Sequence, residues 1–271
     1  MQLKFVCPRW GAENFSYEAF FTKAKEAGYE GVEFSLPSEP KEKAKVIDLL
    51  KQYELLFVAQ HWETNTSDFE AHKKEYKQRL LNLADAKPYF INTHTGKDYF
   101  SFDQNIELIA IAEELADTHQ VKIIHETHRG RFSFAAHIAT NYFKKLPGLR
   151  ITIDFSHWCN VAESFLEDQL EAVNLAIERT DHVHARVGFP EGPQIPDPRA
   201  PEWKDALICH VKWWKQIVDY KRLLGEKELT LAPEFGPYPY MQIIPYTREP
   251  IANQWDINVF MMNYLKETLT Q

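Results

Sequence analysis

The sequence lacks the positive charge that several classes of protein need. Basic residues are outnumbered: 31 Lys and Arg stand against 39 Asp and Glu, for a formal net charge of -8. No cluster of Lys and Arg interrupts this acidic balance. Binding the backbone of nucleic acid requires a positive surface, and so does binding an anionic membrane. The composition therefore predicts neither nucleic acid nor a membrane as the partner.

Cysteine and long apolar runs are scarce as well. Cys7, Cys159 and Cys209 are the three cysteines; they lie far apart and form no CxxC pair. This argues against a disulfide framework and against a structural zinc site. No apolar run is long enough for a signal peptide at the start or for a membrane span later. We therefore expect a cytoplasmic protein.

What the sequence does contain is a regular alternation of short apolar runs and longer stretches with helical spacing. Eight runs are predicted as strands: 3–7, 31–36, 55–61, 89–95, 121–128, 150–157, 182–188 and 229–235. They begin roughly every 32 residues, which leaves room for one helix and two loops between strands. Eight such units without a linker predict an α/β fold, a (β/α)₈ TIM barrel forming a single domain over residues 1–271.

One connection between the predicted elements is unusual. The stretch GFPEGPQIPDPRAPEW, residues 188–203, contains five prolines. Proline fixes the backbone φ angle, so this segment is too rigid for an ordinary linker. We predict an ordered loop after the seventh strand, covering one end of the barrel.

Ionisable residues recur at one position of the last four predicted strands. Side chains alternate between two faces along a strand; in 121–128, Val121 and Ile123 take one face and Glu126 takes the other. The same alternation places an ionisable residue on the inward face near the end of each later strand. These residues are Asp154, His184 and Glu234. Because active sites of barrel enzymes gather at the C-terminal strand ends, the four are candidates for one site.

These four residues form a ligand set suited to a metal ion. Three carboxylates crowded in one mouth cannot all stay ionised without a compensating cation, because like charges raise each other's pKa. Three carboxylates with one imidazole suit Mn²⁺, Mg²⁺, Co²⁺ or Zn²⁺. Four protein ligands would leave about two positions of an octahedral ion free for adjacent substrate oxygens.

Further candidates for substrate contact lie near the ends of the predicted strands. His157 and Arg186 each lie beside a member of the ligand set, and His94, His61 and Glu33 end earlier strands. Trp10 belongs to a strand-to-helix turn, where it is a candidate wall of a sugar pocket. A structural hydrogen bond is an equally good interpretation for His94, His61 and Glu33, and loop packing is one for Trp10.

The motifs HETH, DFSH, HAR and PEFG, in this order, resemble the xylose isomerase-like barrel superfamily. Within it, the match is closest to sugar isomerases and epimerases of the D-tagatose 3-epimerase type. The resemblance implies one divalent metal ion held by the four-residue ligand set, with Glu126 and Glu234 doubling as the acid/base pair. It also implies that His157 and Arg186 hold substrate oxygens. Arg186 departs from the pattern, since the epimerases carry their arginine further beyond the histidine.

The expected partner is a small-molecule sugar or sugar phosphate. The expected reaction is isomerisation or epimerisation by proton transfer through an enediolate. Dehydration of a cyclic polyol and a non-catalytic carbohydrate-binding barrel remain open, as does a homodimer, since dimers are frequent among such proteins. A zinc phosphodiesterase like the endonuclease IV family is a further alternative. This sequence lacks the Asp-x-His pair that would complete the zinc site of such an enzyme, because Asp197-Pro198-Arg199 has arginine where histidine is needed.

Overall fold

The strands of the computed structural model, which describes residues 1–270, form one closed parallel barrel in chain order. They are β1 (Gln2–Pro8), β2 (Gly31–Phe34), β3 (Leu56–His61), β4 (Phe90–Thr93), β5 (Ile123–Glu126), β6 (Ile151–Ile153), β7 (Thr180–His184) and β8 (Glu228–Ala232). The ring closes where β1 pairs with β8, with Phe5 opposite Leu231. The predicted (β/α)₈ TIM barrel is confirmed.

Helices follow the strands and cover the outside of the barrel. They are α1 (Tyr17–Ala27), α2 (Pro40–Gln52), α3 (Phe69–Ala84), α4 (Phe102–His119), α5 (Ala136–Lys145), α6 (Phe155–Ala162), α7 (Leu170–Arg179), α8 (Lys204–Leu223) and α9 (Gln254–Leu269). The connection from β6 to β7 holds two of them, α6 and α7, and a 3₁₀ turn, Pro201–Trp203, precedes α8. Over residues 1–270, no helix is both long and apolar enough to cross a membrane.

The sixth strand is shorter than its sequence predicts. The apolar run suggested a strand through residue 157, but β6 ends at Ile153. The reason lies in Asp154, whose carboxylate accepts the backbone N–H of Ser156 at 2.9 Å and caps the first turn of α6. Asp154 therefore lies at the junction of a strand and a helix, directly above the barrel.

The lower part of the barrel interior is mainly an apolar layer, and the part above it is polar. Val6, Val58, Phe90, Ile124 and Ala232 form a separate buried cluster in the lower part, and the side chains of Glu33 and His182 are buried beside it. Side chains two positions further along a strand face the same side. The layer above this cluster is therefore occupied by the inward residues that come next in the chain, which are Gln60, Asn92, Glu126 and Glu234. The apolar layer supports a polar site at the C-terminal mouth, where barrel enzymes carry their chemistry.

Candidate active site

The C-terminal mouth of the barrel opens into a cavity of about 470 Å³. Its lining combines acidic, cationic and aromatic side chains. Among them are Trp10, Trp62, His94, Glu126, His128, Arg131, Arg186, Glu234 and Tyr240. Aromatic faces beside a few polar groups are the usual make-up of a small-molecule site.

The four residues of the predicted ligand set converge beneath this cavity, and two of them, Glu126 and Glu234, line it. Glu126 ends β5, Asp154 follows β6, His184 ends β7 and Glu234 lies two residues beyond β8. Each offers one ligand atom, and these atoms all lie within 4.8 Å of one another. All four side chains are buried. Buried carboxylates at this spacing require positive charge among them.

The orientation of His184 fits a metal ligand. Its Nε2 lies 3.0 Å from Oε1 of Glu33, which fixes the ring from behind. Its Nδ1 faces Oε2 of Glu234 at 2.9 Å and Oε2 of Glu126 at 3.4 Å, yet within residues 1–270 it has no aligned hydrogen-bond partner. A metal-binding histidine typically donates one ring N–H to a carboxylate and directs its other ring nitrogen at the metal position, among the other ligands. The residues present therefore fit a divalent ion.

The electrostatics of the set also favour a cation at its centre. Burial alone would lower the pKa of His184, but the surrounding carboxylates, Glu234 first, outweigh it and raise that pKa well above its usual value. Burial would raise the pKa of Glu126, but attraction by His94 and His184 holds it well below its usual range. Glu126 is therefore an ionised carboxylate at neutral pH, and the site draws either a proton or a metal ion to His184.

Arg186 lies inside the site and binds one of the proposed ligands. Its guanidinium donates to the carboxylate of Asp154, to Oγ of Ser156 at 3.2 Å and to Nε2 of His157 at 2.8 Å. It also stacks on the ring of Tyr240, 4.6 Å from the ring centroid. His157 therefore holds Arg186 in place, and Arg186 lines the cavity.

The barrel fold agrees with the protein family that the sequence matches. The family described as xylose isomerase-like TIM barrel matches residues 21–194. The chain belongs to that family. A search of curated protein sequences finds no match to this xylose isomerase-like barrel.

Solved structures share the fold of this xylose isomerase-like barrel over nearly its whole length. The 3-keto-D-glucoside 4-epimerase YcjR from E. coli has a TM-score of 0.64 at 14% identity, covering 98% of this chain and 100% of that one. The probable 3-DHS dehydratase AsbF from Bacillus anthracis has a TM-score of 0.63 at 17% identity, covering 98% and 99%. D-allulose 3-epimerase from Methylomonas sp. has 0.61 at 15%, covering 98% and 97%. At these identities the likeness shows the fold.

The other predicted substrate contacts divide into two groups. His94 and Trp10 line the cavity, and Nε2 of His94 lies 2.9 Å from Oε2 of Glu126. Glu33, by contrast, is fully buried beneath the ligand set. Its two oxygens lie 3.0 Å from Nε2 of His184 and 3.1 Å from Nε2 of His182. Glu33 therefore orients a proposed ligand instead of contacting substrate.

His61 does not reach the cavity of this xylose isomerase-like barrel. Because Val58 faces the interior, Gln60 faces it too and His61 points outward. Its Nδ1 lies 2.9 Å from Oγ1 of Thr93, and its Nε2 lies 2.8 Å from Oγ1 of Thr64. The position of His61 therefore supports a structural hydrogen bond as its role, and does not support contact with substrate.

For the His61→Leu variant we expect a loss of stability with an unchanged metal content. The change leaves the hydroxyls of two buried threonines without their imidazole partner, which costs about 1–3 kcal/mol. Urea unfolding would measure the stability, and elemental analysis the bound metal. Loss of a metal ion from this variant would show instead that His61 belongs to a metal site.

Several residues of the site were not identified as candidates from the sequence. Asn92 donates through Nδ2 to Oε1 of Glu33 at 2.9 Å and to Oε2 of Glu126 at 3.0 Å. Gln60 donates to Oε1 of Glu234 at 3.3 Å. Inward parity on β3 and β4 is the signal that marks both, but neither residue is ionisable, so charge does not distinguish them from ordinary interior residues. Tyr240 lies in the loop after β8, where the sequence offers no such pattern.

Proposed function

We propose that the protein is a divalent-metal-dependent sugar or sugar-phosphate isomerase or epimerase, with the metal held by Glu126, Asp154, His184 and Glu234. The observation that carries this proposal is the convergence of those four buried side chains within 4.8 Å. They lie at the base of a cavity with aromatic walls. A divalent ion bound there would act as a Lewis acid toward a carbonyl oxygen and its neighbouring hydroxyl.

Two carboxylates of the chain would carry the proton transfers. Glu126 and Glu234 both line the cavity, and the low pKa of Glu126 keeps it in the ionised form that a base requires. When one carboxylate removes the proton and the other returns one to the opposite face, a carbon is inverted, which is epimerisation. Return of the proton to the neighbouring carbon gives aldose–ketose isomerisation.

Arg186, His94 and three aromatic rings of the cavity would bind and orient the sugar. Arg186 presents a cation that is already fixed by Asp154 and His157. His94 lies against Glu126 and faces the cavity. The rings of Trp10, Trp62 and Tyr240 offer flat apolar faces for the C–H groups of a sugar, and these faces exclude water from the reacting carbon.

The zinc phosphodiesterase alternative has less support from the geometry. Such a site would need His61, whose two ring nitrogens already have threonine partners outside the barrel. It would also need Asp197, whose carboxylate pairs with Arg199 at 2.6 Å and 2.8 Å. His61 thus faces away from the proposed ligand set, and Arg199 occupies the position where such a site needs a histidine.

Solvent deuterium exchange would test the proposal. The protein would be stripped of metal by a chelator, reloaded with Mn²⁺, and incubated in D₂O with ketoses, ketose phosphates and inososes. We expect deuterium to enter next to a carbonyl, at a rate that falls at least about a hundredfold after chelation and recovers with Mn²⁺. Mass spectrometry and NMR of the sugar would measure it.

Each other outcome of this screen points to a different function. Loss of water from an inosose would indicate a dehydratase, and sugar binding without any exchange would indicate a non-catalytic barrel. Exchange that continues undiminished without metal would contradict the proposed centre.

A further inference from the structure

The backbone that carries Glu234 leaves the barrel before Glu234 is reached. The last paired residue of β8 is Ala232, opposite His184, and the carbonyl of Ala232 accepts the N–H of Ala185 at 2.7 Å. Glu234 lies two residues further on, where no strand holds the chain. A metal ligand and acid/base group in such a segment requires another source of rigidity.

Three side-chain amides supply that rigidity by binding the next two residues. Asn258 accepts the N–H of Phe235 at 2.9 Å and donates to its carbonyl at 3.0 Å, and Gln254 donates to the same carbonyl at 2.8 Å. Gln194 accepts the N–H of Gly236 at 2.7 Å and donates to its carbonyl at 3.1 Å. All four backbone polar groups of this dipeptide are thus bound by amides, which replace the missing strand.

Gly236 is adapted to this arrangement by its lack of a side chain. A Cβ atom at this position would lie 2.1 Å from the indole of Trp10, and Trp10 lines the cavity. The bound dipeptide therefore also supports an aromatic wall of the site.

Gln194 comes from the proline-rich segment, and its own backbone is firmly held. The N–H of Ile195 donates to the carbonyl of Val187 at 2.9 Å, and Phe189 and Gly192 exchange two backbone hydrogen bonds of 2.8 and 3.0 Å. Gln194 is buried, with 3% of its surface exposed. A rigid loop thus carries one amide from the end of β7 to the end of β8.

We infer that Gln194 is a positioning residue for Glu234, and that the proline-rich loop serves to hold this amide against Gly236. The inference rests on the proposed function, in which Glu234 binds the metal. Residues that orient metal ligands typically contribute tenfold to a hundredfold to metal affinity. Gln194 is a cleaner amide to test than Gln254, because both of its hydrogen bonds go to Gly236, whereas Gln254 also binds the carbonyl of Trp10. Unlike Asn258, it also comes from the proline-rich loop.

The test is a titration of the metal-free full-length protein with Mn²⁺ alone, by calorimetry. Gln194→Met removes both hydrogen bonds at similar volume, and we expect the dissociation constant for Mn²⁺ to rise about tenfold. Gln216→Ala, an exposed amide on α8, serves as the matched control and should bind as wild type does. In a Glu234→Gln background, Gln194→Met should weaken binding no further, because the residue acts through Glu234.

Hydrogen exchange provides a second measurement that does not depend on the metal. The Gly236 amide should exchange at least about tenfold faster in Gln194→Met than in wild type, since its acceptor is gone. If Gln194→Met does not fold, Gln194→Asn keeps an uncharged amide that is one methylene too short to make both hydrogen bonds, and should still weaken Mn²⁺ binding relative to wild type.

The outcomes separate failure of this inference from failure of the proposed function. Unchanged Mn²⁺ affinity in a folded Gln194→Met would overturn the positioning role alone. So would an equal loss in the wild-type and Glu234→Gln backgrounds, which would indicate a general structural effect. Absence of Mn²⁺ binding by the wild type would overturn the metal centre, and the positioning role with it.

Discussion

In the Glu234→Gln variant we expect the rate of deuterium incorporation into the sugar to fall by about a thousandfold, within the range for loss of an acid/base group. The amide has the shape of the carboxylate but neither takes up the substrate proton nor balances the charge of a metal ion. The fold should persist, because the change removes one of several buried negative charges that face each other. Deuterium exchange measures the rate, and urea unfolding measures the stability.

The same cavity offers a matched control for this variant. Glu13 also lines the cavity, but its carboxylate accepts the backbone N–H of Gly11 at 2.9 Å and lies outside the ligand set. Glu13→Gln should therefore retain a nearly normal exchange rate. Near-normal exchange in Glu234→Gln would remove that residue from the acid/base role.

Strand alternation explains why so much of the site could be predicted from the sequence. Ile124 and Glu126 lie two residues apart, so one packs in the barrel and the other lies above it, as the pattern required. The same holds for Ala232 and Glu234. Closure of the ring then brings the ends of four successive strands together, and this places residues more than a hundred positions apart in one site.

The sequence left two interpretations open where a side chain's role depends on a residue from elsewhere in the chain. His61 and Glu33 both lie at strand ends, but one binds Thr93 on the next strand and the other binds His182 from across the barrel. The hydrogen bonds of Gln194 to Gly236 join residues 42 positions apart. No local pattern encodes such contacts, because they arise only once the loops are folded over the barrel.

Replacing Arg186 by methionine should destabilise the metal-free protein by about 3–5 kcal/mol, since it leaves the buried carboxylate of Asp154 without its cation. Arg186 is 1% exposed and Asp154 is fully buried. Burial raises the pKa of Asp154, and Arg186 offsets part of that effect. Urea unfolding in the presence of a chelator would measure the loss.

Bound Mn²⁺ should reduce the cost of this substitution, because a metal ion at the ligand set would supply the charge that Asp154 has lost. Pairing Arg186→Met with Asp154→Asn should restore most of the stability, since the uncompensated charge is then removed. Arg199→Met, as a control, breaks a surface pair with Asp197 and should cost less than about 1 kcal/mol.

If Arg186→Met unfolds at the wild-type urea concentration in chelator, Asp154 does not depend on Arg186. The arginine would then be free to act on substrate alone. If the loss is equal with and without Mn²⁺, the metal does not reach Asp154, and the centre would consist of Glu126, His184 and Glu234.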